Sequence, residues 1–298
     1  MHAFLKNGVM EALTLSSTTC IPRIIWQTAK DKNKIPLDLL NCVNKIKDMN
    51  QNWEHRLFDD GLQLAKLQEV CNDRFMRAYK RIEPRYGAAR ADLFRYVMIY
   101  LYGGAYFDLK SGTSRPLDDI LRPDDEFIIS QWDNSSKGLF PGVGFRKSIK
   151  DIPGGEYQQW FIIARPGHPF LAAAIERALL NIETYNPYMH GYGGDAVLRL
   201  VGPDVYTRGI RDLEERCAHR FVNSWKDGLI YSMLPSAQSH KDLDPNHYGS
   251  VDLLPLTSVG LSVLPMLRFE FLKFLHFPVR LFRRWNKRRL LHRRASRV

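Results

Sequence analysis

Four charged residues, Asp92, Arg95, Asp108 and Lys110, lie close together in the sequence and are of the types that bind sugars, phosphates and metals. A carboxylate such as Asp108, beside a loop of Ser and Gly, suits a hard divalent cation. Such a cation would bridge a diphosphate and stabilise it as a leaving group. Arg95 suits a phosphate or sugar hydroxyls, and Asp92 suits hydroxyls as an acceptor. The same residues could instead form a buried structural ion network, and spacing alone leaves both interpretations open.

The segment that carries these residues predicts a helix, a turn and a strand. Residues 88–101 are rich in helix formers, contain no Gly or Pro, and place apolar residues at helical spacing. A Gly-Gly pair then ends the helix. Residues 105–107 read as a short buried strand that delivers Asp108 at its end. Lys110 lies two positions on, so in extended backbone both side chains point the same way.

The rest of the chain alternates strands with helices, which predicts an α/β fold with a mostly parallel central sheet flanked by helices. The predicted strands are 21–28, 53–58, 105–107, 126–132, 160–164 and one or two within 221–234. Ligands of such sheets bind at the carboxyl ends of the strands. Trp26 and Gln27 end the first strand, so a base could stack on Trp26 while Gln27 hydrogen-bonds it. A core tryptophan at a strand end is the competing interpretation.

Several segments together resemble the glycosyltransferases that carry a DXD sugar-binding region, glycosyltransferase family 32. This family includes the yeast initiating mannosyltransferases and many bacterial capsule and lipopolysaccharide transferases. The similar segments are IPRIIWQT, WEHRLFDD, ARADLFRYVMIYLYGGAYFD, WFIIARPGHPFL and VLRLVGPDVYT. The resemblance implies a GT-A fold, a nucleotide-sugar donor (a UDP- or GDP-sugar) and transfer with retention of anomeric configuration.

The resemblance also implies roles for individual residues. It places a set of residues at the donor: Trp26, Gln27, Asp92, Arg95, Tyr106 and Gly202. Asp108 would be the first acid of the DXD motif and a ligand of Mn²⁺ or Mg²⁺, with His247 as a second metal ligand. Asp195, which follows a Gly-Gly pair, is a candidate catalytic acid near the sugar, with a helix N-cap as the alternative.

The chain departs from the family pattern at Lys110, which stands where the DXD motif has its second acid. In one interpretation a metal still binds Asp108, with Lys110 close by. In another, the ammonium itself pairs with a diphosphate oxygen and weakens or removes the metal requirement. In a third, Lys110 neutralises Asp108 in a site that has lost activity.

The net charge of +11 is concentrated near the C-terminus, because residues 266–298 hold eleven Lys or Arg and one acid, Glu270. Residues 256–298 mix these charges with aromatic and aliphatic residues, which predicts a basic amphipathic helical tail on an anionic membrane surface. The remainder of the chain is close to neutral and offers no basic groove, so nucleic acid is not expected as a partner.

The four cysteines form no CxxC pair, and neither a signal peptide nor a long apolar run is evident. These features predict a reducing compartment, with the protein cytoplasmic and peripheral on the inner face of the membrane. We expect a leader (1–20), a GT-A domain (21–255) and the tail (256–298).

The expected activity is transfer of a hexose from a nucleotide sugar to a saccharide or glycolipid acceptor, in cell-surface polysaccharide or lipopolysaccharide biosynthesis. The alternative, favoured by Lys110, is a non-catalytic nucleotide-sugar-binding module of a polysaccharide assembly complex.

Overall fold

The computed structural model describes residues 3–15, 19–235 and 256–257. In these ranges the strands are β1 (Ile24–Thr28), β2 (Glu54–Phe58), β3 (Gly104–Phe107), β4 (Gly112–Thr113), β5 (Phe127–Ile129), β6 (Phe161–Ala164), β7 (Arg220–Phe221) and β8 (Leu229–Ile230). The helices are α1 (Asn7–Leu15), α2 (Leu37–Met49), α3 (Asp60–Val70), α4 (Asp73–Arg81), α5 (Gly87–Tyr102), α6 (Leu117–Ile120), α7 (Pro169–Glu183), α8 (Pro187–His190), α9 (Gly194–Leu200) and α10 (Pro203–Arg211). None of the helices in these ranges combines the length and hydropathy needed to cross a bilayer.

The central sheet has the strand order β2-β1-β3-β6-β5-β7. Strand β1 runs parallel to β2 and β3, and β5 runs parallel to β7. Strand β6 is antiparallel to both of its neighbours, β3 and β5. The predicted α/β class with a mostly parallel sheet is therefore confirmed, and the reversed strand is a feature that the alternation of elements did not reveal. Strands β4 and β8 form a separate antiparallel pair.

Both faces of the sheet are buried, because successive residues of its strands contribute to two hydrophobic clusters. Trp26 and Tyr106 pack into the larger cluster, together with α5 and α7. Ile25 and Phe107, their neighbours in the chain, pack into the smaller cluster on the opposite face. This alternation follows from the period of two in strand side chains. It leaves the ends of β1 and β3, rather than their faces, available for a site.

Helix α5 is buried on nearly every side, unlike the helix with a single apolar face that its spacing predicted. Residues 92–100 are all buried, including the charged Asp92 and Arg95. Gly103 ends the helix with a positive φ of 64°, and Gly104 follows at 96°. A Cβ at Gly104 would collide with the carbonyl of Ile24 on the neighbouring strand. The glycine pair therefore both stops the helix and lets β3 pair closely with β1.

Local residues set the bounds of two helical segments. Helices α3 and α4 are separate because Asn72 lies between them and caps α4 by accepting from the Phe75 amide. Helix α10 begins at Pro203, which suits a first helical position. The predicted tail lies outside the described residues except for 256–257, where Leu256 is fully buried against the core.

Candidate active site

The carboxyl ends of β1 and β3 open into a cavity of about 380 Å³. Thr28 and Tyr106 contribute to its wall from these strands, and Asp108 and Lys110 from the turn that follows β3. Helix α5 adds a further group of small and charged residues, namely Ala88, Ala91, Asp92 and Arg95. The convergence at the strand ends that the sequence predicted is therefore present in the structure.

Arg95 is the centre of the charged cluster in this cavity. Its guanidinium donates to Asp92 Oδ1, one turn earlier on α5, and to Asp108 Oδ1 at 3.1 Å. Both side chains of the Asp92–Arg95 pair are almost completely buried, whereas the Asp108 side chain is 34% exposed. A buried guanidinium shared by two carboxylates fixes all three groups in place.

Tyr106 completes the support of Asp108 by donating to Asp108 Oδ1 at 3.1 Å. Burial, reinforced by the nearby carboxylate, raises the pKa of Tyr106 well above its ordinary range, so its hydroxyl remains a donor. Asp108 Oδ1 thus receives two hydrogen bonds from within the protein. The second oxygen, Oδ2, is hydrogen-bonded to no other described residue and is available to a ligand.

The buried carboxylate of Asp92 is electrostatically unusual. Burial raises its pKa from 3.8 to about 6, with Arg95 lowering it and Asp108 raising it further. Burial by itself would lower the pKa of Arg95, but the surrounding carboxylates hold that pKa above its ordinary value. The buried guanidinium of Arg95 is therefore shared by Asp92 and Asp108, and it offsets only part of the effect of burial on Asp92, whose pKa stays raised.

Gln27 lies behind the site as a positioning residue. It is fully buried, and its amide donates to the backbone carbonyl of Asp108 at 3.4 Å. Its own carbonyl accepts from His55 Nε2 at 2.9 Å. Because an amide oxygen only accepts, the neutral His55 ring carries its proton on Nε2. Burial lowers the pKa of His55 to about 4, which is consistent with that neutral form.

Trp26 is the main correction among the predicted site residues. Its side chain is buried in the core, and its indole N–H donates to the Gly103 carbonyl at 2.9 Å. Tyr102 stacks on the ring at 5.8 Å, and the Arg56 guanidinium lies 4.9 Å from its centroid. With both contacts in place the ring offers no face to a nucleotide base, so the prediction of base stacking on Trp26 is wrong and the core interpretation holds.

The three remaining predicted residues have different outcomes. Gly202 precedes α10, and a Cβ there would lie 3.2 Å from Asp92 Oδ2, so a larger residue would require its neighbours to shift by a few tenths of an ångström. Asp195 is exposed in the first turn of α9 and does not line the cavity, and Gly193 rather than Asp195 is the N-cap. His247 lies outside the described residues, so its predicted metal role stays a prediction.

Several cavity residues were not singled out from the sequence. Aromatic and polar side chains after β5 and before β6 line the wall, with Tyr231 beyond β8: Trp132, Glu156, Gln159, Trp160 and Tyr231. Glu156 accepts from the Trp132 indole and pairs with Arg146, which also pairs with Asp204 on α10. These contacts hold the loop over 133–156 against the cavity wall. The polar residues of this loop could have been singled out from the sequence. Their position beside the cavity, however, depends on the antiparallel strand β6, which the sequence did not reveal.

The described residues do not make a metal site. No group of three or more His, Cys, Asp or Glu side chains in the described ranges is placed to hold an ion. Asp108 presents one carboxylate oxygen to the cavity, and an ammonium occupies the position of the second acid. Of the two acids that a DXD motif offers to an ion, the described residues therefore supply one, and any divalent ion here would take its other oxygen ligands from water and phosphate.

Residues 36–128 match the family model described as the glycosyltransferase sugar-binding region containing the DXD motif. The initiation-specific alpha-1,6-mannosyltransferase of Schizosaccharomyces pombe is 25% identical over 258 residues, covering 82% of this chain and 58% of that protein. Inositol phosphoceramide mannosyltransferase 1 of the same yeast is 31% identical over 172 residues, covering 56% of this chain and 44% of that protein. The chain thus spans about half the length of these curated relatives.

Among solved structures, the UDP-bound glycosyltransferase domain of the YGT toxin aligns with a TM-score of 0.48 at 9% identity, covering 74% of this chain and 83% of that chain. The similarity rests on the sequence matches and on the helix, glycine pair and strand that carry Asp92, Arg95 and Asp108. The chain is therefore similar to the glycosyltransferases that carry a DXD sugar-binding region, and residues 36–128 match that region.

Proposed function

We propose that this protein transfers a hexose from a UDP- or GDP-sugar to a saccharide or glycolipid acceptor, with retention of anomeric configuration. The observation that carries the proposal is the cluster of Asp92, Arg95, Tyr106 and Asp108 in the wall of one cavity. Carboxylates held rigidly beside a guanidinium suit the recognition of sugar hydroxyls next to a diphosphate.

In the proposed reaction the bond between the anomeric carbon and the diphosphate oxygen breaks, and its electron pair stays on the diphosphate. A bond forms between the anomeric carbon and the acceptor oxygen, whose proton passes to the diphosphate. The protein orients the donor, because Asp108 Oδ2 and the amide nitrogen of Gln159 are available to hydroxyls. Gln159 Oε1 already accepts from Tyr96 at 2.5 Å, which fixes the direction of its amide.

From the names of the matched relatives we propose, more narrowly, that mannose is the transferred sugar and that a glycolipid is an acceptor. The matched relatives include initiation-specific mannosyltransferases and inositol phosphoceramide mannosyltransferases. A role in cell-surface polysaccharide or lipopolysaccharide synthesis is the wider form of the same proposal.

The location proposed for this activity is the cytoplasmic face of the membrane, with the basic segment 256–298 on anionic lipid. The support for it is the composition of that segment, which combines clustered arginines with aromatic and aliphatic residues.

A donor panel tests the proposal. Purified protein is incubated with nucleotide sugars of mannose, glucose, galactose and N-acetylglucosamine, with and without Mn²⁺, and released nucleotide is measured. We expect turnover with at least one donor and its loss in Asp108→Ala, while the exposed Asp119→Ala serves as the matched control. Binding without turnover would instead support the non-catalytic module, for which Lys110 is the motivating feature. No binding and no turnover with any donor would refute both.

A further inference from the structure

Lys110 lies in the cavity wall with its ammonium over the face of the Tyr231 ring. The residue is only 7% exposed, and its Nζ lies 3.9 Å from the centroid of the Tyr231 ring. Tyr231 is in turn contacted edge-on by Trp132 at 4.9 Å and by Trp160 at 5.7 Å. A lysine normally extends its charge into water. Here the charge is retained beside the cavity, and the ring face compensates part of its lost hydration.

The backbone around Lys110 is fixed as firmly as its side chain. Its carbonyl accepts from the Met233 amide at 2.8 Å. The next residue, Ser111, donates its hydroxyl to the Tyr231 carbonyl at 2.6 Å and its amide to the Asp108 carbonyl at 2.8 Å. The turn after β3 and the segment after β8 therefore form one unit that holds the ammonium and its ring together. A group positioned in this way requires little reorganisation when an anion arrives.

The charges beside Lys110 favour an anion at this position over a divalent cation, since the third carboxylate of the wall, Glu156, is already paired with Arg146. Lys110 and Arg95 are both cations of the wall, and Arg95 already engages Oδ1 of Asp108. A divalent ion placed at the remaining oxygen of Asp108 would share the cavity wall with the Lys110 ammonium, and like charges repel. A diphosphate at the same place would be attracted by it.

We propose, resting on the function proposed above, that the Lys110 ammonium supplies the positive charge for the diphosphate of the donor, so that this site binds a nucleoside diphosphate without a divalent metal. Lys110 then takes over the role that the second DXD acid would serve through an ion. As the anomeric bond breaks and the electron pair stays on the diphosphate, the ammonium stabilises the developing negative charge. Tyr231 acts as the positioning residue that holds the ammonium.

Titration calorimetry of the purified protein with UDP and with GDP, in EDTA and in Mn²⁺, tests this inference. We expect the preferred nucleotide to bind with dissociation constants that agree within about threefold in the two buffers. Lys110→Ala and the longer-stemmed Lys110→Met should weaken binding by about tenfold to a hundredfold in both buffers, the value of one charge-assisted hydrogen bond. The exposed Lys226→Ala is the matched control and should leave binding unchanged.

Two further arms separate the charge of Lys110 from its packing. Binding of uridine or guanosine, which lack phosphates, should be the same in Lys110→Met as in the unaltered protein. Lys110→Asp recreates the Asp-x-Asp spacing and should bind the nucleoside diphosphate only when Mn²⁺ is present.

The outcomes distinguish this inference from the proposed function. Binding that EDTA abolishes and Mn²⁺ restores would overturn the inference while leaving glycosyl transfer intact. Unchanged affinity in Lys110→Ala or Lys110→Met would overturn it as well. The EDTA comparison needs no variant, so it decides the matter even if a substitution prevents folding. Failure of both nucleotides to bind in either buffer would overturn the inference and the proposed function together.

Discussion

The substitution Asp92→Asn makes a sharp test of the site's electrostatics, because the sign of its effect on stability depends on pH. In the folded protein, burial raises the pKa of Asp92 from 3.8 to about 6. The folded state therefore holds a proton that the unfolded state releases between these pH values. Stability associated with this group falls as the pH rises through that window and levels off above about pH 6. Asparagine has the shape of the protonated acid and does not titrate.

The size of the effect follows from the shift in pKa. Each pKa unit corresponds to about 1.4 kcal/mol, so ionising Asp92 in the folded protein costs about 3 kcal/mol. Part of this change in stability occurs below pH 4, because the carboxyl group of the unfolded chain is about half protonated near its pKa of 3.8. Between about pH 4 and pH 7, Asp92→Asn should gain about 2–3 kcal/mol of stability relative to the unaltered protein. Near pH 4 the two proteins should have similar stability.

Urea denaturation followed by circular dichroism at the two pH values is the assay. His55 and His168 have pKa values lowered to about 4 by burial, so both proteins gain stability from them as the pH rises. The difference between the proteins cancels this common contribution. If instead Asp92→Asn lost stability between pH 4 and pH 7, the ionised carboxylate would stabilise the fold through Arg95, and the reasoning from burial would be refuted.

Three other substitutions probe the supports of the cavity. Gly202→Ala should lower the free energy of unfolding by about 1–3 kcal/mol through overpacking, and it should weaken donor binding. The control Gly61→Ala, whose added Cβ would have its nearest contact at 3.5 Å, should change neither quantity in thermal melts and donor titrations. Trp26→Phe should cost about 1–3 kcal/mol of stability, because it leaves the buried Gly103 carbonyl unpaired. The KM for donor should stay within a factor of about three. A large rise in KM would instead show that the ring contacts the nucleotide. Arg146→Met should cost about 3–5 kcal/mol in urea denaturation, because it leaves the carboxylates of Glu156 and Asp204 facing each other; an unchanged midpoint would show that the loop is held by other contacts.

The sequence was informative where one local rule determined the structure. The Gly-Gly pair after residues 88–101 marks the end of α5 and the start of β3, and the structure has both within a residue or two. Asp108 follows directly from that boundary. Sequential alternation of elements likewise predicted the class of the sheet and the meeting of β1 and β3 at one edge.

The sequence was uninformative where the outcome depended on contacts between distant segments. Trp26 could be assigned to the nucleotide or to the core, and only the positions of Tyr102 and Arg56 decide for the core. Tyr231 follows the short strand β8, and nothing local relates it to Lys110, more than a hundred residues earlier. A cation–π contact of this kind has no sequence signature, since either partner is ordinary in its own surroundings.

The charge arrangement explains why a lysine is tolerated where the DXD motif has an acid. With a second acid at position 110, the wall would hold three carboxylates beside the guanidinium of Arg95, in addition to Glu156, which is paired with Arg146. A divalent ion would have to neutralise that excess. With lysine, the carboxylates of Asp92 and Asp108 share the wall with two cations, Arg95 and Lys110. The aromatic support of Tyr231 is consistent with a lysine that the site accommodates rather than one introduced by decay. The ammonium lies 3.9 Å from the centroid of the Tyr231 ring and in the wall of the cavity where the donor is proposed to bind, so the ring holds the charge where a diphosphate would need it.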